Sequence, residues 1–311
     1  NAALQELLDG DGSGDVAAGD VISLDADVDY GTISIDDGVR GTSGNWIIIR
    51  SDEYTSLPTF STTANSGRVT EADETYMATI SRTPSASGHT SMNISGGASP
   101  GTGAGYIRFI GVKFTQYGSY SSDVLAIVST LTGGFGTDVD KLCDHIVFDR
   151  CAFTHDSTMK GVQDCIRFDA DDSAVVGCNF YGLKGAGNDG SNSVRVYQGH
   201  RILITNNRFN CNGAAAFLGD NFLTTVEDYE FSRNYHFRNS DWATGNGTNK
   251  GSLETKTGLR VLVDENVFYR HFNTGGFGAV TLKAEGTGGP KSTRHVTVRG
   301  NKIDTAAMAF L

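Results

Sequence analysis

Proline is scarce, with four residues in a chain of 311, while glycine is abundant at forty. The shortage excludes a proline-rich rod, and the lack of an every-third glycine spacing excludes a collagen helix. Positive charge is also in deficit. Lys and Arg total 25 against 36 Asp and Glu, a formal net charge of −11, and a field of that sign repels nucleic acid and acidic membrane surfaces. No run approaches the roughly 18 apolar residues that a bilayer span requires. The charged start and apolar stretch of an export signal are missing from the first residues, which says nothing against export of a processed chain. The five cysteines, Cys143, Cys151, Cys165, Cys178 and Cys211, are odd in number and have no Cys-x-x-Cys spacing. A zinc site is therefore not indicated, and buried free thiols are expected. The His-Glu-x-x-His and phosphate-loop motifs are absent too.

What is present is a repeated phrase of alternating apolar residues, a polar turn often containing Asn, and then an aromatic or aliphatic residue. It runs through His145-Ile146-Val147-Phe148 to Phe153, Ala174-Val175-Val176 to Phe180, and Arg201-Ile202-Leu203-Ile204 to Phe209. It returns in Arg260-Val261-Leu262-Val263 to Phe268 and His295-Val296-Thr297-Val298 to Ile303. Intervals of roughly thirty residues suit one coil of a solenoid, in which each phrase buries its apolar side only by stacking on the next. The chain is therefore expected to be all-β, a single right-handed parallel β-helix over 1–311, with Phe153, Phe180, Phe209 and Phe268 inside. Asn207, Asn234, Asn266 and Asn301 recur at the turn and are expected to take its left-handed bend and hydrogen-bond the backbone; Cys151 and Cys178 hold the equivalent place earlier. Residues 1–20 form the entry, where Ala2 to Leu8 predicts a short capping helix over an open strand edge. Residues 51–100 have weak periodicity and predict an irregular excursion or poorly marked coils.

The opening, Leu4-Gln5-Glu6-Leu7-Leu8 with Ala18-Gly19-Asp20-Val21-Ile22-Ser23-Leu24 and Trp46-Ile47-Ile48-Ile49-Arg50-Ser51, resembles the entry of pectin-lyase-like, alginate and chondroitin lyase β-helices. The segment from Leu253 to Phe268 resembles their later coils. The resemblance implies the β-helix fold and a carbohydrate-active protein. A polysaccharide lyase acting on a uronate-containing polymer stands first, a polygalacturonase-like hydrolase second, and a noncatalytic adhesin or phage tail protein third. It also implies an extracellular, cell-surface or periplasmic location, or a virion surface. The expected partner is an anionic polysaccharide or oligosaccharide, with no nucleic acid and no membrane-spanning partner, and with a homo-oligomer if the chain is a tail protein.

Chemistry is sought where polar residues interrupt another strand of each coil. Arg167 and Asp169 alternate with Ile166 and Phe168, Arg195 and Tyr197 with Val194 and Val196, and Glu254 and Lys256 with Leu253 and Thr255. The period of two places these polar residues on one outward stripe, continued by Thr281, Lys283 and Glu285. The rival to a binding groove is a solvated sheet face of balanced charge. For β-elimination, Lys256 is the candidate base or charge stabiliser, Arg195 the carboxylate clamp and Tyr197 the donor to the leaving oxygen. Arg167, Asp169, Glu254, Lys283, Glu285 and Asn221 are candidate substrate contacts. Asp171, Asp172 and Asp220 are candidate calcium ligands, since carboxylate oxygens suit that ion; no organic cofactor is expected. Incomplete calcium-loop patterns also occur at Asp9, Asp11, Ser13, Asp15 and Asp20, and at Gly133 to Asp138. A hydrolase would need paired carboxylates. Asp171-Asp172 supplies such a pair, although Gly199-His200-Arg201 and Glu254-Thr255-Lys256 match the polygalacturonase elements poorly.

Overall fold

Short runs of β-branched and aromatic residues, each ended by a tight bend, cannot pair locally and so pair with the same run one coil later. The computed structural model describes residues 2–10, 15–59, 67–82, 90–97, 101–117, 124–130, 142–155, 161–183, 191–219, 226–239, 251–270, 278–282 and 293–304. Among these, parallel strands form three sheets of ten, eight and eight strands. The chain visits the sheets in rotation and makes a right-handed parallel β-helix. The first sheet runs from Val21–Leu24 through Cys143–Asp149 and Gly199–Thr205 to Arg294–Arg299. The second runs from Ala78–Arg82 through Asn179–Leu183 to Lys302–Asp304, and the third from Ile33–Ile35 through Val162–Phe168, Asn192–Val196, Ala216–Leu218 and Leu253–Thr255 to Val280–Leu282.

The core is a set of ladders. In the second sheet Phe114, Phe153, Phe180 and Phe209 lie in register. Their rings stack at 5.1, 4.6 and 4.8 Å between centroids. His236 takes the next place and Phe268 the one after. The four predicted phenylalanines are no more than 1% exposed. All five cysteines are buried free thiols, as their spacing implied.

The turn between the first and second sheets corrects one expectation. The ladder asparagines do not take the left-handed bend; the residue before each does, with φ of 55° at Asn206, 53° at Arg233 and 52° at Glu265. The bend turns the following Asn inward. Asn234 Oδ1 accepts from the backbone N–H of Asn207 at 2.9 Å and from its Nδ2 at 3.1 Å, while Asn234 Nδ2 donates to the Ile204 carbonyl at 2.9 Å. Asn266 and Asn301 repeat the pattern, and at the other end Cys178 and Cys151 continue the ladder with sulfur.

At the entry, the helix Ala2–Leu7 places Leu4 and Leu8 in the core. Gln5 both donates to and accepts from the backbone of Ser34, at 2.9 and 2.8 Å, which satisfies groups of the first strand of the third sheet. Within the 51–100 region the described residues fit poorly marked coils. It contains the strands Ala78–Arg82 and Met92–Ile94 and two 3-10 turns, Tyr54–Ser56 and Glu71–Tyr76. Leu57, Val69 and Met77 pack with Ala152 and Tyr181 outside the second sheet as a separate apolar cluster. An ion pair from Glu74 to Lys113 at 2.6 Å fixes that layer.

Candidate functional site

The outward row of the third sheet is in register across six coils: Ser129, Arg167, Arg195, Phe217, Glu254 and Thr281. The apolar partners Ile166, Phe168, Val194, Val196 and Leu253 face the core, as the period of two required. The stripe is not a solvated face. Arg167, Asp169, Tyr197 and Glu254 are 4, 3, 6 and 2% exposed. Burying this many ionisable groups is costly unless they neutralise one another.

Asp164 does much of that neutralising. Its carboxylate is fully buried and accepts from Arg167 Nε at 3.1 Å, from Asn192 Nδ2 at 2.8 Å and from the Tyr197 hydroxyl at 3.4 Å, with Arg195 3.7 Å away. The guanidinium of Arg195 lies 4.5 Å from the Tyr197 ring centroid and 4.7 Å from that of Phe217. Lys256 Nζ lies 5.5 Å from the same Phe217 ring. Phe217 thus has the Arg195 guanidinium and the Lys256 nitrogen, from different coils, over one π system.

Asp169 flanks the cluster. Its Oδ1 accepts from the Gln198 backbone N–H at 3.2 Å. Burial raises its carboxyl to about 7, against the opposing pull of the backbone N–H groups of Gln198 and Tyr197 and of the charges of Arg167 and Arg195. A carboxyl that titrates near neutrality beside two arginines makes the charge of the cluster depend on pH.

The structure thus brings together Arg167, Asp169, Arg195, Tyr197, Glu254 and Lys256. Asp171 and Asp172 lie elsewhere, where the chain bends into the first sheet. Asp171 accepts from the His200 backbone and ring at 2.7 and 2.9 Å, and Asp172 pairs with Arg201. Both carboxylates are engaged by these groups and remain partly exposed, 25% at Asp171 and 30% at Asp172. Among the described residues no group of three or more His, Cys, Asp or Glu converges as a metal site. Lys283, Glu285, Asn221 and Asp220 lie outside the described residues, as do Asp11, Ser13 and the Gly133 to Asp138 stretch. Of the remaining loop aspartates, Asp20 accepts from the Ala17 backbone at 2.8 Å. Sequence reasoning missed Asp164, Asn192 and Phe217. Asp164 precedes a break in alternation, since Cys165 and Ile166 are both in the core, and Phe217 sits in the run Ala214-Ala215-Ala216-Phe217-Leu218, which carries no polar marker.

No protein-family model matches the sequence, and no curated protein does. Solved structures do match, and they define the class as a parallel β-helix like those of polysaccharide lyases. The chain is similar to the alginate lyase from Paenibacillus sp. str. FPU-7, with a TM-score of 0.60, 14% identity, and coverage of 99% of this chain and 95% of that one. It is similar to a mannuronic acid specific polysaccharide family 6 lyase from human gut microbiota, at TM-score 0.55 and 15% identity, covering 99% of this chain and 64% of that one. Pectate lyase Pel9A follows at TM-score 0.50 and 15% identity, with 94 and 74% covered. At these identities the likeness is one of fold. No helix among the described residues is long and apolar enough to cross a membrane.

Proposed function

We propose that the third-sheet stripe binds an acidic polysaccharide and cleaves it by β-elimination beside a uronate. The observation that carries this reading is the cluster of buried Arg167 and Tyr197 with half-buried Arg195 and Lys256 around the buried Asp164 and Phe217. Cations partly withdrawn from water on rigid strands attract a carboxylate more strongly than fully solvated ones, and they need little reorganisation when charge develops. The likeness in fold to lyases of alginate and pectate supports the choice of reaction.

In this reading Arg195, with Arg167 behind it, binds the uronate carboxylate and lowers the cost of the negative charge that spreads onto it when the neighbouring C–H bond breaks. Lys256, acting as the free amine, takes that proton and becomes the ammonium. The electron pair forms the ring double bond as the glycosidic C–O bond breaks, and the Tyr197 hydroxyl protonates the departing oxygen, drawing on its contact with Asp164 to hold its orientation. Glu254 and Asp169 line the same stripe as substrate contacts, with Lys283, Glu285 and Asn221 as candidates further along the chain. Asp171 and Asp172, bonded to His200 and Arg201, stay with Asp220 the candidate calcium ligands, and no step runs through such an ion. The same engagement weighs against a hydrolase built on that carboxylate pair, which would need one acid and one base free to act.

The test is a screen of pectate, alginate, hyaluronan, chondroitin and neutral glycans, with and without EDTA. Ultraviolet absorbance from an unsaturated product is the expected result with at least one uronate polymer. Reducing ends without that absorbance indicate hydrolysis, and binding with neither product indicates an adhesin.

A further inference from the structure

The outward face of the first sheet carries a depression of its own, separate from the third-sheet stripe. Ile48, Arg108 and Val147 are in register on successive coils. Over them lie two adjoining hollows of about 310 and 400 Å³, which share Arg108 and Val147. That size suits one or two sugar units. Trp46 and Ile48 line one hollow, and Asp149 and Arg150 line the other.

Two features give the groove chemical character. The first is charge. Asp149, 5% exposed at its side chain, accepts from Arg108 at 2.6 Å and from Arg150 at 2.9 and 3.1 Å. One carboxylate thus faces two guanidiniums, leaving a local positive excess on a chain whose net charge is −11. The Arg108 side chain is 46% exposed, and its five N–H donors outnumber what its share of Asp149 can accept. The second is a fixed aromatic. The Trp46 indole meets Tyr106 edge-on at 5.5 Å and His145 at 6.0 Å, and those two rings stack on each other at 3.9 Å. An indole locked in this way loses little entropy when a flat apolar face stacks on it.

We propose that this groove is a second, noncatalytic site for a carboxylated sugar, with Trp46 against the C–H face of the ring and Arg108 paired to the carboxylate. The preference for an anion rests on Arg108 and Arg150 alone; the choice of a uronate rests on the acidic-polysaccharide reading above. Such a site would hold a polymer on the protein while the third sheet acts on another stretch of it.

Trp46 and Trp242 are the two tryptophans of the chain, so Trp242→Phe leaves Trp46 as sole reporter, and Lys256→Ala in the same full-length protein prevents turnover. Galacturonate and mannuronate tetrasaccharides are titrated against indole emission, with cellotetraose as the neutral comparison. A saturable change with an acidic tetrasaccharide is expected, with no response to cellotetraose. Arg108→Ala should weaken it about tenfold or more, the scale of one charge-assisted contact, and Arg195→Ala should leave it unchanged. Silence toward both acidic tetrasaccharides, an equal response to cellotetraose, or the same affinity in Arg108→Ala overturns the proposal, as does loss of the signal in Arg195→Ala. Emission reports the first-sheet groove and unsaturated product reports the third-sheet stripe, so the two readings fail separately.

Discussion

Two ladders of charge climb this β-helix, and they are built on opposite terms. Where the chain bends into the first sheet, Tyr106, His145, Asp172, Arg201, Asp228, Arg260 and His295 stack with φ between 50° and 58°. Their charges cancel in exposed pairs, Arg201 with Asp172 and Arg260 with Asp228. On the third sheet, Arg167 and Arg195 are sunk beside one carboxylate and two aromatic rings. The first arrangement stabilises a bend that side chains rarely adopt, at a cost of roughly 1–2 kcal/mol per residue. The second concentrates cations where water screens them less. Spacing in the sequence is the same for both, and burial separates a structural ladder from a candidate site.

The contrast can be broken most forcefully at Asp164. Asp164→Ala removes the carboxylate that pairs with buried Arg167 at 3.1 Å and should cost about 3–5 kcal/mol of stability in denaturant unfolding. A loss no larger than that of a surface mutant would mean that the cluster is solvated after all.

A smaller effect is expected from pH. The carboxyl of Asp169 is raised to about 7, chiefly by burial, so below that pH it is neutral and the arginines beside it are less compensated. Affinity for an acidic oligosaccharide should fall several-fold as pH rises through about 7. The folded state binds the extra proton between the ordinary carboxylate range and about pH 7, so stability should fall across the same window. Asp169→Asn should flatten both profiles in calorimetric titrations and thermal melts; an unchanged slope would remove Asp169 from the cluster's electrostatics. The smallest effect belongs to the exposed ladder, where Arg201→Ala should change stability by about 1 kcal/mol or less and leave ligand affinity unchanged.

The coils were legible because stacking forces a period on the sequence. Phe153, Phe180, Phe209 and Phe268 mark it, and each is buried. The Ser- and Thr-rich 51–100 region hid its role because Leu57, Val69 and Met77 pack against the outside of the second sheet, while the anchors that do enter the helical core, Ala78, Ile80, Met92 and Ile94, are few and widely spaced. At the candidate site, alternation pointed to Arg167, Arg195, Tyr197, Glu254 and Lys256. It did not point to Asp164, whose position follows from broken alternation at Cys165, or to Phe217, whose apolar side chain reads as core from its neighbours alone. The adjacent carboxylates Asp171 and Asp172 drew attention as a pair, yet their partners His200 and Arg201 come from the next coil, a relation that local sequence does not contain.

The most direct test of the third-sheet site is the rate of unsaturated product formation by wild type, Lys256→Ala and Lys256→Arg on whichever uronate polymer the screen identifies. Lys256→Ala should lower kcat by roughly 10²- to 10⁴-fold, the scale of a positioned acid-base group, with much less change in oligosaccharide affinity. Failure of Lys256→Arg as well, with folding and binding intact, would assign Lys256 as the base, whereas full activity in Lys256→Arg would assign charge stabilisation. Equal turnover by all three proteins would contradict the account and remove the stripe's lysine from the chemistry.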